Sequence, residues 1–526
     1  MNSPPRTPIL KIFTVLLPSI GNIIFVAILL VLTLNIAEGL LGDGDTGYHI
    51  KTGEFILDTG QVPRVDIYSF ITPPLKWTAH EWLAETIMAI IYRGSGLTGV
   101  VVFFAVLLAT THWLLYAVLR TKSDDIILCT IVTLLATLTA SSHWLARPHL
   151  FSLTLLLIWY HLLDQFQYND RSTLKYLPIL MLLWVNLHGG FMLGIVLLTI
   201  YLAGNLIYSL TDSPATALGH RAKAKALSLI ALLVIAASIV NPVGVEIFWF
   251  PFRVTSDRFI MDYVIEFMSP NFHQALPFKY MFIAVIAALA LARTRLNLIE
   301  AALLILVSYM SLYSVRHVSV FAIIVAPILL KMSSGIAESL PKRLSEFYQA
   351  RRKVFADLDG QLDGKLWPAV ALVVVVGLAL VGALRVSFNN KIFPVAAVEF
   401  LKREKLSGNM FNNDEFGDYL IFSAWPQYKV FTDGRSDMYG EKHGSPYLKV
   451  AGVQPGWKEI LNRYDISWIF FQTQTALSAA LLEQPDWHPI YSDKVATIFV
   501  RNTAEQQHLI TKFPSVQVQL VNDNKK

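Results

Sequence analysis

The chain has 526 residues, of which 54% are hydrophobic and only 15% are charged, and its mean hydropathy is +0.50. Soluble domains carry roughly 25% charged residues, and the apolar residues here fall into long blocks between short charged stretches, which excludes a soluble multidomain enzyme. The single cysteine, Cys129, lies inside one of these blocks, so a disulfide framework is excluded as well. The composition predicts a polytopic membrane protein.

Eleven apolar blocks approach the length of about 20 residues that a helix needs to cross the hydrocarbon core. They lie at 12–41, 97–119, 126–143, 149–164, 176–188, 190–210, 224–240, 279–293, 298–314, 318–331 and 367–385. The first block is too long for the apolar core of a cleavable signal peptide, which has roughly 7–15 residues. The two blocks that meet at 186–191 leave open a re-entrant hairpin in place of two crossings.

Lysine and arginine predict the orientation of these helices, because cytoplasmic connections carry an excess of both. With Arg6 and Lys11 in the cytoplasm, every second connection is basic. The basic residues on that side are Arg120, Lys122, Arg171, Lys175, Arg221, Lys223, Lys225, Arg293, Arg295 and several within 332–366. The net charge of +5 is therefore a topology signal rather than a nucleic-acid surface, and the chain after the eleventh block is expected outside the cytoplasm.

The first outer loop, residues 42–96, holds the most specific pattern. Asp43 and Asp45 follow the first block directly, a helix is predicted at Tyr48–Asp58, and the loop closes with the stretch Lys76–Glu85. A carboxylate at the membrane surface can accept a proton from an acceptor hydroxyl. Two carboxylates two residues apart, with histidines nearby, can instead hold a divalent cation such as Mg²⁺ or Mn²⁺. The spacing leaves both roles open.

Polar residues also recur at the later outer helix ends. These are Arg147 and His149, Asn186 and His188, Asn271 and His273, and Arg316 and His317. Polar side chains at membrane depth are costly, and they usually line a cavity or a site. Their return to one face from several loops predicts a shared extracytoplasmic cavity. The alternative is that they are ordinary polar residues of hydrated loops.

The chain after the tenth block divides into three further segments: a cytoplasmic linker at 332–366, the last transmembrane helix at 367–385 and a tail at 386–526, which follow the membrane domain 1–331. The linker's apolar residues recur near helical spacing, opposite arginine and lysine. They are Ile336, Leu340, Leu344, Phe347, Val354 and Leu358. This pattern predicts an amphipathic helix on the membrane surface, with a plain helical linker as the alternative.

The tail is predicted to be a small α/β domain outside the cytoplasm. It contains a predicted helix at Ala396–Glu404 and β-rich runs at Tyr428–Thr432, Ile466–Phe471 and Ala496–Arg501, separated by turn-forming residues. Its densest polar stretch is 431–440, where Asp433 and Arg435 could contact an acceptor. A β-turn with a structural Asp–Arg pair is the simpler interpretation.

At the first outer loop the sequence resembles the membrane-embedded glycosyltransferases of the GT-C superfamily, and especially the bacterial branch related to protein O-mannosyltransferases and the lipid A aminoarabinose transferase. Those proteins carry an acidic motif after the first span, then a helix that contains a tyrosine and ends at a glycine, then a proline. Asp45, Tyr48, Gly60 and Pro63 follow that order here. Thr46 departs from it by standing where an acidic residue is common, and 80–82 (His-Glu-Trp) replaces the Lys-Pro-Pro-like closing motif.

The resemblance implies a GT-C-like fold of about eleven transmembrane helices, in a bacterial inner membrane, with a periplasmic α/β tail. It also implies inverting transfer of a sugar from a polyprenyl-phosphate donor in the lipid phase to an extracytoplasmic glycan, lipid or protein. Asp45 would be the general base, and Asp43, His80 and Glu81 are further catalytic candidates. His80 and Glu81 would shape the acceptor side or assist a cation. The donor phosphate would meet Arg147, His149, Arg316 and His317. The substrate-binding candidates are His49, Asn186, His188, Asn271, His273, Asp433 and Arg435.

Two other functions remain open at this point. A transporter or flippase of a lipid-linked or small solute would use charges near the bilayer midplane and related halves, whereas the charges here lie near helix ends and no internal repeat is visible. A non-catalytic factor in envelope polysaccharide assembly would use the tail for docking. A soluble kinase, nuclease or dehydrogenase is excluded, since the chain has no Walker loop, dinucleotide fingerprint or zinc-type cysteine pair.

Overall fold

The computed structural model describes residues 16–274, 276–338, 341–359, 364 and 366–520. Arg6, Lys11 and Leu340, which entered the sequence interpretation, lie outside the described residues, as does the side chain of Leu358. The α-helices are α1 (Ile20–Leu30), α2 (Asp45–Thr59), α3 (Trp82–Lys122), α4 (Ile126–Ala140), α5 (His149–Asn169), α6 (Leu177–Leu187), α7 (Phe191–Thr211), α8 (Pro214–Ser238), α9 (Phe250–Ser256), α10 (Arg258–Tyr263), α11 (Pro277–Leu291), α12 (Leu298–Tyr313), α13 (Val318–Glu338), α14 (Lys342–Asp359), α15 (Leu366–Leu380), α16 (Val395–Glu404), α17 (Asp414–Ala424), α18 (Ser436–Ala451), α19 (Trp457–Arg463), α20 (Ala476–Leu482) and α21 (Gln507–Lys512). The strands are β1 (Asn409–Asn412), β2 (Ile466–Gln472), β3 (Trp487–Ser492) and β4 (Ala496–Arg501).

Apolar helices dominate the described chain. Four of them are long and apolar enough to cross a membrane: Trp82–Lys122, Ile126–His143, Phe191–Thr211 and Val315–Ala337. Five shorter apolar helices accompany them, at Ile20–Asn35, Leu174–Leu187, Pro277–Leu291, Leu298–Tyr313 and Leu366–Leu380. Every apolar block expected from residue 97 onward coincides with a helix. A mostly helical membrane protein with a small C-terminal sheet is thus confirmed, while the number of crossings stays a prediction.

The chain forms two compact units. Unit 1 takes in the chain up to Gly39, then Thr98–Phe248 and Ile265–Arg385. Unit 2 takes in Leu40–Leu97, Trp249–Val264 and the chain from Val386 onward. Helix α3 bends at Gly96 (φ 63°), next to the point where the chain passes from unit 2 to unit 1. The first outer loop and the tail, remote in sequence, therefore belong to one unit.

Local signals at helix ends explain where the helices of unit 1 begin. Asp125 precedes α4 and its side chain accepts the Leu128 N–H, which satisfies one of the free donors of the first turn. Asn297 and Glu300 form a reciprocal capping box at the start of α12. Helix α14, expected as an amphipathic helix, is held to the start of α4 because Tyr348 Oη donates to Asp125 Oδ2 at 2.7 Å. Its placement on a membrane surface stays a prediction.

Unit 2 is built on a four-stranded sheet in the order β1-β2-β4-β3, in which only β1 and β2 are parallel. The helix expected at Ala396–Glu404 and the strands expected at Ile466–Phe471 and Ala496–Arg501 are confirmed as α16, β2 and β4. The sheet buries an aromatic core that includes Phe411, Phe471 and Phe499.

The strand expected at Tyr428–Thr432 is wrong. This segment makes a single bridge, between Val430 and Ser69 of the first outer loop, and stays outside the sheet. Two strands without a clear sequence signal take part instead. Strand β1 has only four residues, and β3 is an edge strand whose pairing shifts register next to Pro489, a residue that cannot donate to a ladder.

Candidate active site

Asp45 is the first residue of α2, and its side chain is buried. The turn before it is closed by Asp43, whose Oδ1 accepts the Asp45 N–H at 2.9 Å. Helix α2 can approach α17 closely because Gly44 and Gly47 face it. A Cβ added at Gly47 would lie 2.7 Å from Phe422 Cβ, and one at Gly44 would lie 3.0 Å from Asp418 Cβ. The two glycines thus allow the base candidate to sit directly against the tail helix.

Asp45 meets a second buried carboxyl group, that of Asp418 on α17. The Gly434 N–H donates to both oxygens of Asp418, at 3.1 and 3.0 Å. A Cβ at Gly434 would clash with Oδ1 of Asp45 and lie 2.8 Å from Oδ2 of Asp418. The two carboxyl groups therefore approach each other over the bare Cα of Gly434, a position that only glycine can fill.

The close approach of the Asp45 and Asp418 carboxyl groups affects their ionisation. Burial, and then the neighbouring carboxylates of Asp45, Asp433 and Asp43, hold the pKa of Asp418 well above its usual range. Two buried carboxyl groups at such close range do not both ionise, because each penalises the charge of the other. Asp418 therefore resists ionisation more strongly than an ordinary aspartate, and the Asp45–Asp418 pair tends to carry less negative charge than its composition suggests.

Asp433 and Arg435 form a buried ion pair. Arg435 donates from Nε and Nη2 to the two oxygens of Asp433, each at 2.7 Å, and from Nη2 to Asp66 at 2.8 Å. Its guanidinium also stacks on Tyr68 and Trp77, with centroid distances of 4.9 and 4.5 Å. This is the geometry of the structural Asp–Arg pair considered above, and it ties the first outer loop to the tail. A substrate role for the two residues stays a prediction.

The two ends of the first outer loop meet at His49. Its Nδ1 lies 3.2 Å from Glu85 Oε1 and its Nε2 lies 3.7 Å from Glu81 Oε2, and both His49 and Glu85 are buried. His80 adds a longer contact to Glu81, at 3.9 Å. His49 stands one helical turn after Asp45 in α2, so this buried imidazole and the base candidate share a helix face.

The described residues contain no group of three or more His, Cys, Asp or Glu side chains arranged to hold a metal ion. In the acidic cluster, Asp433 is already engaged by Arg435 and by Tyr439, whose Oη donates to it at 2.7 Å. The divalent cation considered for Asp43 and Asp45 stays a prediction.

Unit 1 holds a separate cationic cluster at its helix ends. Arg147 donates from Nη1 to Glu266 Oε1 at 2.6 Å, and Arg316 Nε lies 3.7 Å from Glu266 Oε2. Burial acts to raise the pKa of Glu266, but Arg147, Arg316 and His143 outweigh it and lower that pKa to about 2. Glu266 is thus a permanent anion between two cations.

Histidines surround this ion-pair cluster. His149 Nε2 donates to the His143 carbonyl at 3.0 Å, and its ring lies 4.6 Å from the His143 ring and 6.4 Å from the His188 ring. His188 Nδ1 accepts the Gly190 N–H at 2.9 Å, so a neutral His188 carries its proton on Nε2. A Cβ at Gly190 would lie 2.6 Å from Ser152 Oγ, which explains why a glycine occupies position 190.

The fold was compared with solved structures. The apo oligosaccharyltransferase of Archaeoglobus fulgidus aligns with a TM-score of 0.53 and 12% identity, covering 92% of this chain and 74% of that one. The oligosaccharyltransferase AglB of the same organism, in complex with an inhibitory peptide and a dolichol-phosphate, aligns with a TM-score of 0.55 and 11% identity, over 86% and 69% of the two chains. ArnT from Cupriavidus metallidurans, bound to undecaprenyl phosphate, aligns with a TM-score of 0.46 and 12% identity, over 92% and 98%. No protein-family model and no curated protein matches the chain.

The chain has the GT-C fold. The resemblance drawn from the first outer loop is confirmed at this level. The predicted site residues fall into two groups, one in each unit. The group in unit 2 is Asp43, Asp45, His49, His80 and Glu81. The group in unit 1 is Arg147, His149, His188, Arg316 and His317.

Three other predicted residues, all in unit 1, take part in hydrogen bonds with backbone groups. Asn186 donates from Nδ2 to the carbonyls of Leu182 and Val240. Asn271 and His273 are exposed, and Asn271 Oδ1 accepts the His273 N–H in a local turn. Their roles as substrate ligands stay predictions.

Asp66, Glu85, Glu266 and Asp418 received no role in the sequence interpretation. Glu85 ends the closing stretch of the first outer loop, and Glu266 is one of the polar residues of a later outer loop. Asp418 follows Gly417 within α17, and a Cβ at Gly417 would lie 2.8 Å from Asp433 Cα. A carboxylate next to a glycine inside a helix was the available signal in the sequence.

Proposed function

We propose that this protein is a membrane glycosyltransferase that moves a sugar from a polyprenyl-phosphate donor to an extracytoplasmic acceptor, with inversion at the anomeric carbon. The observation that carries the proposal is Asp45: a buried carboxyl group at the first residue of the helix that follows the first apolar block, in a chain with the GT-C fold. The acceptor is a glycan, a lipid or a protein.

The donor assignment is supported by chemistry and by one structural relative. AglB, which shares the fold, was solved with a dolichol-phosphate and a peptide. In the present chain, the residues of unit 1 that suit a departing phosphate are Arg147, His149, Arg316 and His317, since charge-assisted hydrogen bonds stabilise an oxyanion strongly. Nδ1 of His317 is buried and makes no hydrogen bond within the described residues, so it suits the same role.

In the proposed reaction Asp45 takes the proton of the acceptor hydroxyl, whose oxygen attacks the anomeric carbon. The bond between that carbon and the phosphate oxygen breaks, and the polyprenyl phosphate leaves with the bonding electrons. Because burial and Asp45 raise the pKa of Asp418, this second carboxyl group limits the negative charge that the acceptor oxygen meets. The proposed roles of His49, His80 and Glu81 are to bind the acceptor side, and Asp43 and Asp45 are the proposed ligands of a divalent cation if one takes part.

The proposed topology keeps the expectations from sequence. The protein would cross a bacterial inner membrane eleven times, with a cytoplasmic N-terminus, a linker at 332–366 on the cytoplasmic surface, and the tail 386–526 in the periplasm. The four long apolar helices and the basic connections support a membrane location and this orientation.

Replacing Asp45 by asparagine tests the proposal. Transfer is measured in membranes that contain the full chain, with a panel of radiolabelled undecaprenyl-phosphate monosaccharides. We expect Asp45→Asn to lower the rate by about 10²–10⁴-fold, because asparagine cannot accept the proton. Asp58→Asn, in the same helix but exposed and paired with Arg93, is the matched control and should leave the rate unchanged.

Activity retained within a few-fold in Asp45→Asn would rule out the base assignment. Movement of the lipid-linked sugar across vesicles without any transfer would instead identify a flippase. Loss of function on deletion of the tail, with alanine tolerated at Asp45 and Arg316, would identify an assembly factor.

A further inference from the structure

Glu266 joins two arginines that come from different parts of unit 1. Arg147 stands just before α5, Arg316 lies in the short 3-10 turn Val315–His317 before α13, and Glu266 lies in the 3-10 turn Ile265–Phe267. All three belong to the same compact unit. The sequence interpretation assigned both arginines to the donor phosphate and gave the glutamate no role.

The two arginines are not equivalent. Arg147 is buried, 8% exposed, and donates to Glu266 at the short distance of 2.6 Å. The Arg316 side chain is 32% exposed, and its Nε lies 3.7 Å from Glu266 Oε2, beyond hydrogen-bond distance. Among the described residues, Nη1 and Nη2 of Arg316 make no hydrogen bond. These two terminal nitrogens, which form the outer fork of the guanidinium, are therefore available to a ligand.

The backbone around Glu266 and Arg316 holds the two turns together. Ser314 Oγ donates to the Glu266 carbonyl at 2.9 Å, and the Val315 N–H donates to the Met268 carbonyl at the same distance. The guanidinium of Arg316 also stacks on the Phe267 ring, 4.9 Å from its centroid. An aromatic face on one side and a carboxylate at Nε restrict the guanidinium to one orientation, which lowers the entropy lost on binding.

We infer that Glu266 is a positioning residue that orients Arg316 for the lipid phosphate, and that Arg147 acts through Glu266 rather than on the phosphate. This rests on the proposed function. Arg147 neutralises the charge of Glu266. The Glu266 carboxylate can then orient Arg316 through Nε without attracting the outer fork of Arg316. The cluster of two arginines and one glutamate keeps one net positive charge for the phosphate. A planar fork suits two phosphoryl oxygens, which a lysine ammonium cannot bind in the same way.

A set of charge variants tests this inference. The probe is undecaprenyl phosphate, and its binding to the purified full chain in nanodiscs is measured by native mass spectrometry. We expect Arg316→Ala to weaken binding by about 10- to 100-fold, since hydrogen bonds to charged groups are the strong ones. Arg316→Lys should not restore it. Glu266→Gln should weaken binding by about 3- to 10-fold, because the orientation of Arg316 is lost.

The decisive comparison is between Arg147→Gln and the double variant Arg147→Gln/Glu266→Gln. Without Arg147, the uncompensated Glu266 should attract the fork of Arg316, and binding should fall further than in Glu266→Gln. Removing the charge of Glu266 as well should restore binding to within about twofold of Glu266→Gln. The double variant also leaves no carboxylate at position 266 without a cation. Thermal unfolding verifies that each variant folds, and Asp262→Asn, at an exposed position four residues earlier in the chain, should behave as wild type.

Three outcomes would overturn the inference: equal or tighter binding in Glu266→Gln, additive losses for Arg147 and Glu266, or no binding of undecaprenyl phosphate to the unaltered protein. The first of these would make Glu266 a competitor of the phosphate, and the second would place Arg147 on the phosphate itself. The assay is independent of sugar transfer. If Asp45→Asn retains transfer while the charge variants behave as expected, only the base assignment fails.

Discussion

At the scale of single residues, each candidate cluster depends on how neighbouring groups shift the pKa of a carboxyl group. Burial and Asp45 raise the pKa of Asp418, whereas two arginines lower the pKa of Glu266. The pKa values of carboxyl groups are therefore shifted in opposite directions in the two units. Identity and spacing in the sequence cannot distinguish these shifts, because the difference lies in which groups surround each carboxyl.

The state of Asp418 predicts how stability depends on pH. Since its folded-state pKa is raised, its stabilising contribution is complete below the unfolded value of about 3.9 and is lost as pH rises through the folded pKa. Asp418→Asn keeps the uncharged form at every pH. We expect the unfolding temperature of the wild type to fall between pH 5 and pH 8 (about the range usable in detergent) more steeply than that of the variant.

Unfolding is followed in detergent with a chelator present, so that no divalent cation alters the titration. Asp486→Asn, at an exposed position of the tail, is the control and should follow the wild type. Parallel curves for Asp418→Asn and the wild type would show that Asp418 is ionised in the folded protein.

At the scale of elements, the position of Asp45 depends on how closely α2 packs on α17. Gly44 and Gly47 supply that close approach, and Gly417 lets the other side of α17 pack against the 432–433 segment, where a Cβ would lie 3.0 Å from Asp433 Cβ. Small residues at a helix–helix contact let the two backbones approach, so the side chains at its edge meet. The meeting of Asp45 and Asp418 is a consequence of this contact.

Gly47→Ala tests the role of this packing. The added Cβ would lie 2.7 Å from Phe422 Cβ and 3.1 Å from the Asp418 carbonyl, atoms at or next to the backbone that cannot rotate away. We expect a loss of about 1–3 kcal/mol in the free energy of unfolding, as for other overpacked contacts, with a lower rate of transfer. Gly94→Ala, where nothing lies within 4 Å, should be neutral or slightly stabilising. Equal stability of both variants would contradict the tight contact.

At the scale of the whole molecule, the chain enters unit 2 three times, through the first outer loop, through Trp249–Val264 and through the tail. The proposed topology puts all three segments outside the cytoplasm, as the alternation of basic connections requires. A domain assembled from two separate loops and the tail requires all three segments to lie on the same side of the membrane.

Cysteine labelling checks this topology directly, because the single native cysteine, Cys129, is buried. A membrane-impermeant maleimide should label Ala504→Cys, at an exposed site of the tail, in intact cells. It should label Ser213→Cys, exposed between α7 and α8, only after the membrane is opened. The reverse pattern would invert the proposed orientation.

Much of the fold is visible in local sequence. The apolar blocks predicted the membrane helices, and the residues at 45–63 predicted α2, its end at Gly60 and the GT-C resemblance. These succeed because hydrophobic periodicity, caps and breakers act between neighbours in the chain. The strands β1 and β3 were missed because a four-residue strand and an edge strand with a proline carry almost no local signal.

The sequence by itself determined the class of the protein, the position of its apolar helices and the choice of Asp45 as the base candidate. Only the tertiary structure decided what surrounds these residues: Asp418 beside Asp45, Asp66 on Arg435 across 369 residues, and Glu266 between two arginines. The reason is physical. Burial and paired charge depend on which distant segments pack together, and that choice is made by the summed packing of the whole chain rather than by any local stretch.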